Sequence, residues 1–222
     1  MKKTIMIAAM MAAAVSSYAQ FKPGTFSIQP KAGTSIIWLS GLGQDPVYET
    51  MTMGADKESK GGALLGVEFE YQMMPEFSVA AGLNYSMQGG GWEDANVYVI
   101  NNGDAYSYKK KNNRLDLGYI TVPVTANYYI FDGFAVKAGL QFGFMTNASH
   151  KYENDKVKYD IDMMSNMNKF DLSVPIGVSY QFPCPIVLDL RYNIGLTKVN
   201  SGTPGSIRNN VLLLTVGYKF AL

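Results

Sequence analysis

The alternation in "FSVAAGLNYSMQ", residues 77 to 88, constrains this chain more than any other feature. Phe77, Val79, Ala81, Leu83, Tyr85 and Met87 alternate with Ser78, Ala80, Gly82, Asn84, Ser86 and Gln88. A period of two is the mark of an extended chain, whose successive side chains point to opposite faces. The run is also long for a strand of a soluble protein, which usually spans about 5–6 residues. The same reading predicts eight strands, near 26–38, 63–72, 77–88, 118–130, 134–145, 170–182, 186–197 and 211–222.

The predicted connectors alternate too. Those after the second, fourth and sixth strands are short and centred on "MMPE", "FDG" and "PCP", whereas those after the first, third, fifth and seventh are much longer. An even-numbered up-and-down sheet with short turns at one end and long loops at the other is the pattern of an outer-membrane barrel, with periplasmic turns and extracellular loops. The expected fold is therefore all-β, an eight-stranded antiparallel up-and-down transmembrane β-barrel.

The two strand faces indicate which solvent each meets. One parity carries Ile28, Ile36 and Trp38, then Leu65, Val67, Phe69 and Tyr71, and so on to Leu212, Leu214, Val216, Tyr218, Phe220 and Leu222, with no Asp, Glu, Lys or Arg. The other is mostly Gly, Ser, Thr, Asn and Gln, small groups that make a poor oily core. A soluble barrel would be inverted, so the aliphatic face is expected to meet lipid. A Lys or Arg there costs about 2–4 kcal/mol near the bilayer midplane. Accordingly the eight strand-borne charges, Lys31, Glu68, Glu70, Lys137, Asp171, Asp189, Arg191 and Lys219, all take the polar parity. An eight-stranded interior is just wide enough for side chains to fill, so these charges are expected to pair as a structural network across a plugged lumen.

Other strand positions refine this reading. Phe26, Tyr71, Phe77, Phe134, Phe182 and Phe220 toward the turns, and Trp38, Tyr85, Phe144 and Phe170 toward the loops, are candidate interfacial girdles. Pro30, Pro123 and Pro175 fall inside predicted strands, where each calls for a bulge, a lumen water or a strand end. Leu115 and Leu117 have the wrong parity relative to Ile120, which predicts a bulge near Gly118 or a segment already above the membrane.

The first residues read as an address. Lys2 and Lys3, an apolar run from Ile5 to Val15 and small residues before Gln20 predict a signal peptide over 1–19, cut after Ala19, and a barrel domain over 20–222. The remaining charge is nearly balanced, which excludes nucleic acid as a partner recruited by bulk charge. Cys184 is the only cysteine and His150 the only histidine. No intramolecular disulfide is possible, and no metal or other cofactor is expected.

Few residues suggest chemistry. His150 follows Ser149 in a predicted loop and reads as a solvated histidine, because adjacency in sequence makes no catalytic dyad. The pair Glu68 and Glu70 resembles glycosidase carboxylates, but it faces a lumen stocked with Lys and Arg. The long segment "GGGWEDANVYVINNGDAYSYKKKNNR" predicts a hairpin above the membrane with its turn at Asn102 and Gly103. Tyr98, Tyr106, Tyr108, Lys109, Lys110 and Lys111 on it are candidate surface contacts, the lysines for lipopolysaccharide phosphates.

The blocks "KAGTS", "GYITVPVTANYY", "FAVKAGLQFGF", "DLSVPIGVSYQF", "LDLRYNIGLTKV" and "LTVGYKF", in this order, resemble the PorT-like, porin-family small outer-membrane β-barrel domain of Gram-negative bacteria. The resemblance covers nearly the whole mature chain and implies an outer-membrane location but little biochemistry. It also implies insertion by the barrel assembly machinery, for which Thr215, Gly217, Phe220 and Leu222 resemble the terminal signal. The chain departs from the pattern by ending in Ala221 and Leu222 instead of an aromatic residue.

Three functions follow as expectations. The first is a structural or surface-interaction protein whose loops meet an extracellular or membrane protein partner, with outer-membrane lipid and lipopolysaccharide around its wall. The second is porin-like passage of small solutes. The third, a lipid-modifying enzyme, rests on His150 alone, and the chain is expected not to be an enzyme.

Overall fold

The computed structural model describes residues 22–40, 57–58, 60–101, 104–154, 157–199 and 208–222. The predicted signal peptide and its cut lie outside them. Among the described residues twelve strands form, in chain order: β1 (Phe26–Ser40), β2 (Lys57–Glu58), β3 (Lys60–Met74), β4 (Phe77–Trp92), β5 (Ala95–Asn101), β6 (Asp104–Phe131), β7 (Phe134–Asn154), β8 (Val157–Asp162), β9 (Phe170–Gln181), β10 (Ile186–Gly195), β11 (Arg208–Tyr218) and β12 (Phe220–Ala221).

Eight of these make the wall. The antiparallel order β4-β3-β1-β11-β10-β9-β7-β6 is closed into a ring by the pairing of β4 with β6. Closure removes the exposed edge that an open sheet would carry into the bilayer. The short turns behave as their residues require: Gly133, at φ +79°, adopts the left-handed conformation that closes the "FDG" turn.

Alternation holds around the ring. Leu65, Phe69, Leu83, Ile120, Val124, Leu140, Leu188, Leu190, Leu214 and Val216 point outward and are exposed, while Gln29, Lys31, Glu68, Asn84, Thr125, Asn127, Asp189 and Arg191 point inward and are buried. Aromatic pairs mark both ends of the outer face. Phe26 meets Tyr71 at 4.4 Å and Phe131 stacks on Phe134 at 4.8 Å on the turn side, and Phe144 meets Phe170 at 5.7 Å on the loop side. The Trp38 side chain lies outside the described residues.

The three prolines sit where one ladder pauses. Pairing of β4 with β6 skips from Ala81↔Val124 to Asn84↔Thr121 around Pro123, and β7 with β9 skips from Ala138↔Ile176 to Gln141↔Ser173 around Pro175. At Pro30 the break between β11 and β12 falls opposite, and the Lys219 N–H turns to the Pro185 carbonyl at 2.7 Å. Each missing donor thus interrupts a single seam without shifting its register; of the expected alternatives, Pro30 meets a strand end, and Pro123 and Pro175 need no bulge.

The loop end extends well beyond the predicted strands. β6 and β7 continue as a paired ribbon, β5 folds back on β6 and β8 on β7, so that β5-β6-β7-β8 form a sheet above the wall. The register Asn101↔Asp104 agrees with the predicted hairpin, although Asn102 and Gly103 lie outside the described residues.

The expected break at Gly118 moves to the partner strand. β6 keeps its odd residues inward from Asn113 to Tyr129, so Leu115 and Leu117 are simply interior. The extra residue is Thr146 of β7, between Tyr119↔Met145 and Gly118↔Asn147, and beyond it the even residues of β7 turn inward.

Candidate functional site

The interior is built in storeys. Nearest the turns, Glu70 of β3 accepts from Tyr129 Oη at 2.6 Å, from Ser78 Oγ at 2.7 Å and from Lys219 Nζ at 2.8 Å. One residue pair higher, Glu68 is a hub. Its Oε1 takes Lys137 Nζ at 2.8 Å, while its Oε2 takes Lys31 Nζ and, at 3.2 Å, Arg191 Nη2. Asp189 Oδ2 joins the same two cations from the other side, at 2.8 Å from Lys137 and 3.2 Å from Arg191. The contacts of Glu68 with Lys137 and Arg191, and of Asp189 with Lys137, cross the lumen, since β3 and β7, β3 and β10, and β7 and β10 are not neighbours in the ring. All seven charged side chains are buried. Charges this far from water persist only when paired and hydrogen-bonded, and the clustering supplies that.

Asp171 is the exception among the eight expected network members. It sits at the loop end of β9 and accepts from Thr197 Oγ1 at 2.6 Å, away from the cations. Parity puts it inside, but height along the strand puts it a storey too high.

Above the charges lie amides and hydroxyls. Asn193 donates to Gln141 Oε1 at 3.3 Å, Gln141 to Ser173 Oγ at 3.4 Å, and Asn209 to Gln88 Oε1. The topmost storey is apolar: Trp92, Leu115, Leu117, Tyr119, Met145, Ala148 and Val199 form one cluster, covered by Met163, Met164 and Met167. Ile37, Leu64, Val211 and Leu213 form another on the opposite wall. The methionine segment is tied down by backbone bonds from Met163 N to Ala148 O at 2.9 Å and from Met145 N to Lys169 O at 2.8 Å. The expectation of a face of small polar groups did not include this oily layer. Its sequence signal was present in Leu64, Leu115, Leu117, Val211 and Leu213, which share the polar parity.

His150 is not a solvated loop residue. β7 runs past its predicted end, and the Thr146 bulge aims Ala148 and His150 inward, where His150 is 2% exposed. Its Nε2 donates to Asn113 Oδ1 at 2.7 Å, and its ring lies 6.0 Å from Trp92 and 5.5 Å from Tyr152. Ser149 pairs with Asp162 and Asp116 across the two ladders.

The six candidate surface contacts divide. Lys109 is exposed and lies 3.6 Å from Asp94, and Lys111 is exposed on the same ribbon. Lys110 is instead buried, its Nζ 4.6 Å from the Tyr152 ring centroid. A second bulge explains the reversal: the β6–β7 register shifts between Lys111 and Arg114, and Asn112 takes φ +52°. Tyr98, Tyr106 and Tyr108 lie on the β5–β6 hairpin, but their side chains are outside the described residues. At the far end, Thr215 and Gly217 face inward, and Phe220 and Leu222 follow the β11 break, with the Leu222 N–H on the Phe26 carbonyl at 2.8 Å. Among the described residues no group of His, Cys, Asp and Glu is arranged to hold a metal ion.

A closed ring with lipid-type residues outside, girdles at both rims and polar fill inside defines an integral outer-membrane β-barrel of a Gram-negative bacterium. The chain belongs to the outer membrane protein beta-barrel domain family, whose model matches residues 18–201. Among solved structures it is similar to Ail, the attachment invasion locus protein of Yersinia pestis, solved in complex with the heparin analogue sucrose octasulfate: 14% identity, 89% of this chain and 99% of that one, TM-score 0.46. It is also similar to Neisserial surface protein A (16%, 88% and 97%, 0.46). OprG from Pseudomonas aeruginosa is a third (15%, 91% and 99%, 0.40). No curated protein sequence matches it.

Proposed function

We propose that this is a PorT-like, non-enzymatic surface-interaction protein. Its wall is a plugged anchor, and its working part is the β5-β6-β7-β8 sheet. The observation that carries this reading is the contrast between a wall without edges and an extension with two. Among the described residues β5 pairs only with β6 and β8 only with β7. On β8, Val157, Tyr159 and Ile161 stand exposed beside Lys158, Asp160 and Asp162. An extracellular or membrane protein segment added as a further strand would find main-chain donors and acceptors on such an edge and alternating apolar and charged contacts on its faces.

Two experiments test it. In planar bilayers the purified barrel is expected to give no reproducible channels, because the charged and apolar storeys fill the lumen; steady conductance would favour solute passage instead. Replacing 151–162 by a short turn is expected to abolish attachment of the bacteria to host or neighbouring cells while heat-modifiable gel mobility persists. Unchanged attachment would remove the extension from the function.

A further inference from the structure

The open edge of β8 restricts what can be added to it. Among the described residues β8 pairs only with β7, in the register Ser149↔Asp162 to Asn154↔Val157, and all six of its residues are exposed. Hydrogen bonds alternate along an antiparallel pair, so each residue turns its main-chain groups to one side or the other. The bond from Met163 N to Ala148 O at 2.9 Å continues the β7–β8 ladder by one step. Odd-numbered residues of β8 therefore spend their main-chain groups on β7, and Lys158, Asp160 and Asp162 turn theirs to the open side.

This parity leaves few registers for two copies of β8 related by a two-fold axis, since even-numbered residues must oppose even-numbered ones. With the axis at Tyr159, Lys158 lies opposite Asp160 on both sides of it, Val157 lies opposite Ile161, and Tyr159 meets itself. Slipping one step either way sets Lys158 against Lys158 or Asp160 against Asp160 at the centre, and like charges directly opposite are destabilising. The strand behind continues the match. Lys151 lies 3.3 Å from Asp160, whose side chain stays 61% exposed, and Glu153 stands opposite Lys158. Across the joined sheet that row reads Lys151, Asp160, Lys158, Glu153, with signs that alternate throughout. The neighbouring row sets four tyrosines side by side, starting from the stack of Tyr152 on Tyr159 at 4.9 Å.

We infer that the β8 edge pairs with the β8 edge of a second copy of this chain, antiparallel and two-fold symmetric about Tyr159. The segment "VKYDI", residues 157 to 161, is its own complement in that register, as a contact between identical patches requires. Strands that rise from their walls and pair antiparallel turn the second barrel end for end. The two copies therefore face each other from opposing membranes, and each covers the other's open edge. The inference rests on the strand-addition reading of the extension and names its partner.

Turbidity of phosphatidylcholine vesicles carrying the full mature chain tests it. Wild-type vesicles are expected to aggregate and protein-free ones to stay dispersed. Lys158→Asp sets carboxylate against carboxylate and Asp160→Lys sets ammonium against ammonium, so each alone is expected to fall to the protein-free level. An equal mixture of the two kinds of vesicle opposes unlike charges again and should regain aggregation. A Cys184→Ser background removes the one native thiol. In it, Tyr159→Cys puts two thiols across the axis at a Cα separation of about 4.5 Å, within disulfide reach. Oxidation with copper phenanthroline should link Tyr159→Cys to itself, and Lys158→Cys only to Asp160→Cys on mixed vesicles. Dispersed wild-type vesicles, a charge-swapped mixture that fails to recover, or dimers at all three positions alike would overturn the inference. Should cell attachment then still depend on 151–162, the strand-addition reading stands with a different protein as partner; should it not, that reading falls as well.

Discussion

The lumen is filled by different physics at its two ends. Near the turns, Glu68 and Asp189 with Lys137 and Arg191 tie walls that are not neighbours in the ring, and Lys31 joins them from the strand beside Glu68, through contacts that depend on direction and on complete pairing. Near the loops, Leu115, Leu117, Met145 and the three covering methionines fill space without any such demand. Ion pairs suit the deep interior because each long side chain reaches across a gap and ends on a partner. The mouth must close against water over a width set by bulges and hairpins, and adaptable apolar groups do that better. One storey specifies the cross-section, and the other shuts it.

The sharpest way to break the comparison is at Glu68. Glu68→Ala leaves Lys31 with no carboxylate partner among the described residues and halves the pairing of Lys137 and Arg191. It is expected to destabilise the barrel by about 3–5 kcal/mol, measured as the shift in urea midpoint of heat-modifiable gel mobility. Next, Arg191→Met should cost about 3 kcal/mol, and adding Asp189→Asn should restore part of that loss; strictly additive losses would show that the network is not a unit. In the upper storey, Leu117→Ala should cost about 2–3 kcal/mol by leaving a cavity. Combined with Arg191→Met it should add to within about 0.5 kcal/mol, because the storeys share no partners. The smallest effect is expected at His150. His150→Ala removes the donor to a buried Asn113 side chain, worth about 1–2 kcal/mol, and should leave the lipid A acyl pattern unchanged. A changed pattern would point to an enzyme.

What was legible in the sequence followed from period two. Alternation is a local property, so Leu188, Leu190 and Ile194 could be assigned to lipid, and Asp189 and Arg191 to the lumen, before any neighbour was known. The chain's closure and its outer-membrane class followed from the same pattern repeated with alternating connectors. Height along the barrel axis was not legible, because it depends on stagger between strands, and Asp171 shares the parity of cations that it does not reach. Bulges hid the rest. A single extra residue at Thr146 reverses every face after it, which is why His150 reads as loop and is core. Asn112 does the same to Lys110, and nothing in "KKKNNR" marks that position as irregular.

The β5–β6 hairpin carries a consequence for how such proteins diverge. It hangs on a ladder already outside the bilayer, with Ile100↔Ala105 and Asn101↔Asp104 as its last pairs. Residues gained or lost symmetrically about its tip, one on each arm, lengthen or shorten the ribbon and leave every lower side chain on its own face. An odd insertion in one arm alone turns that arm over. Loop length in relatives of this chain should therefore drift in even steps, and each odd step should carry a compensating bulge within a few residues.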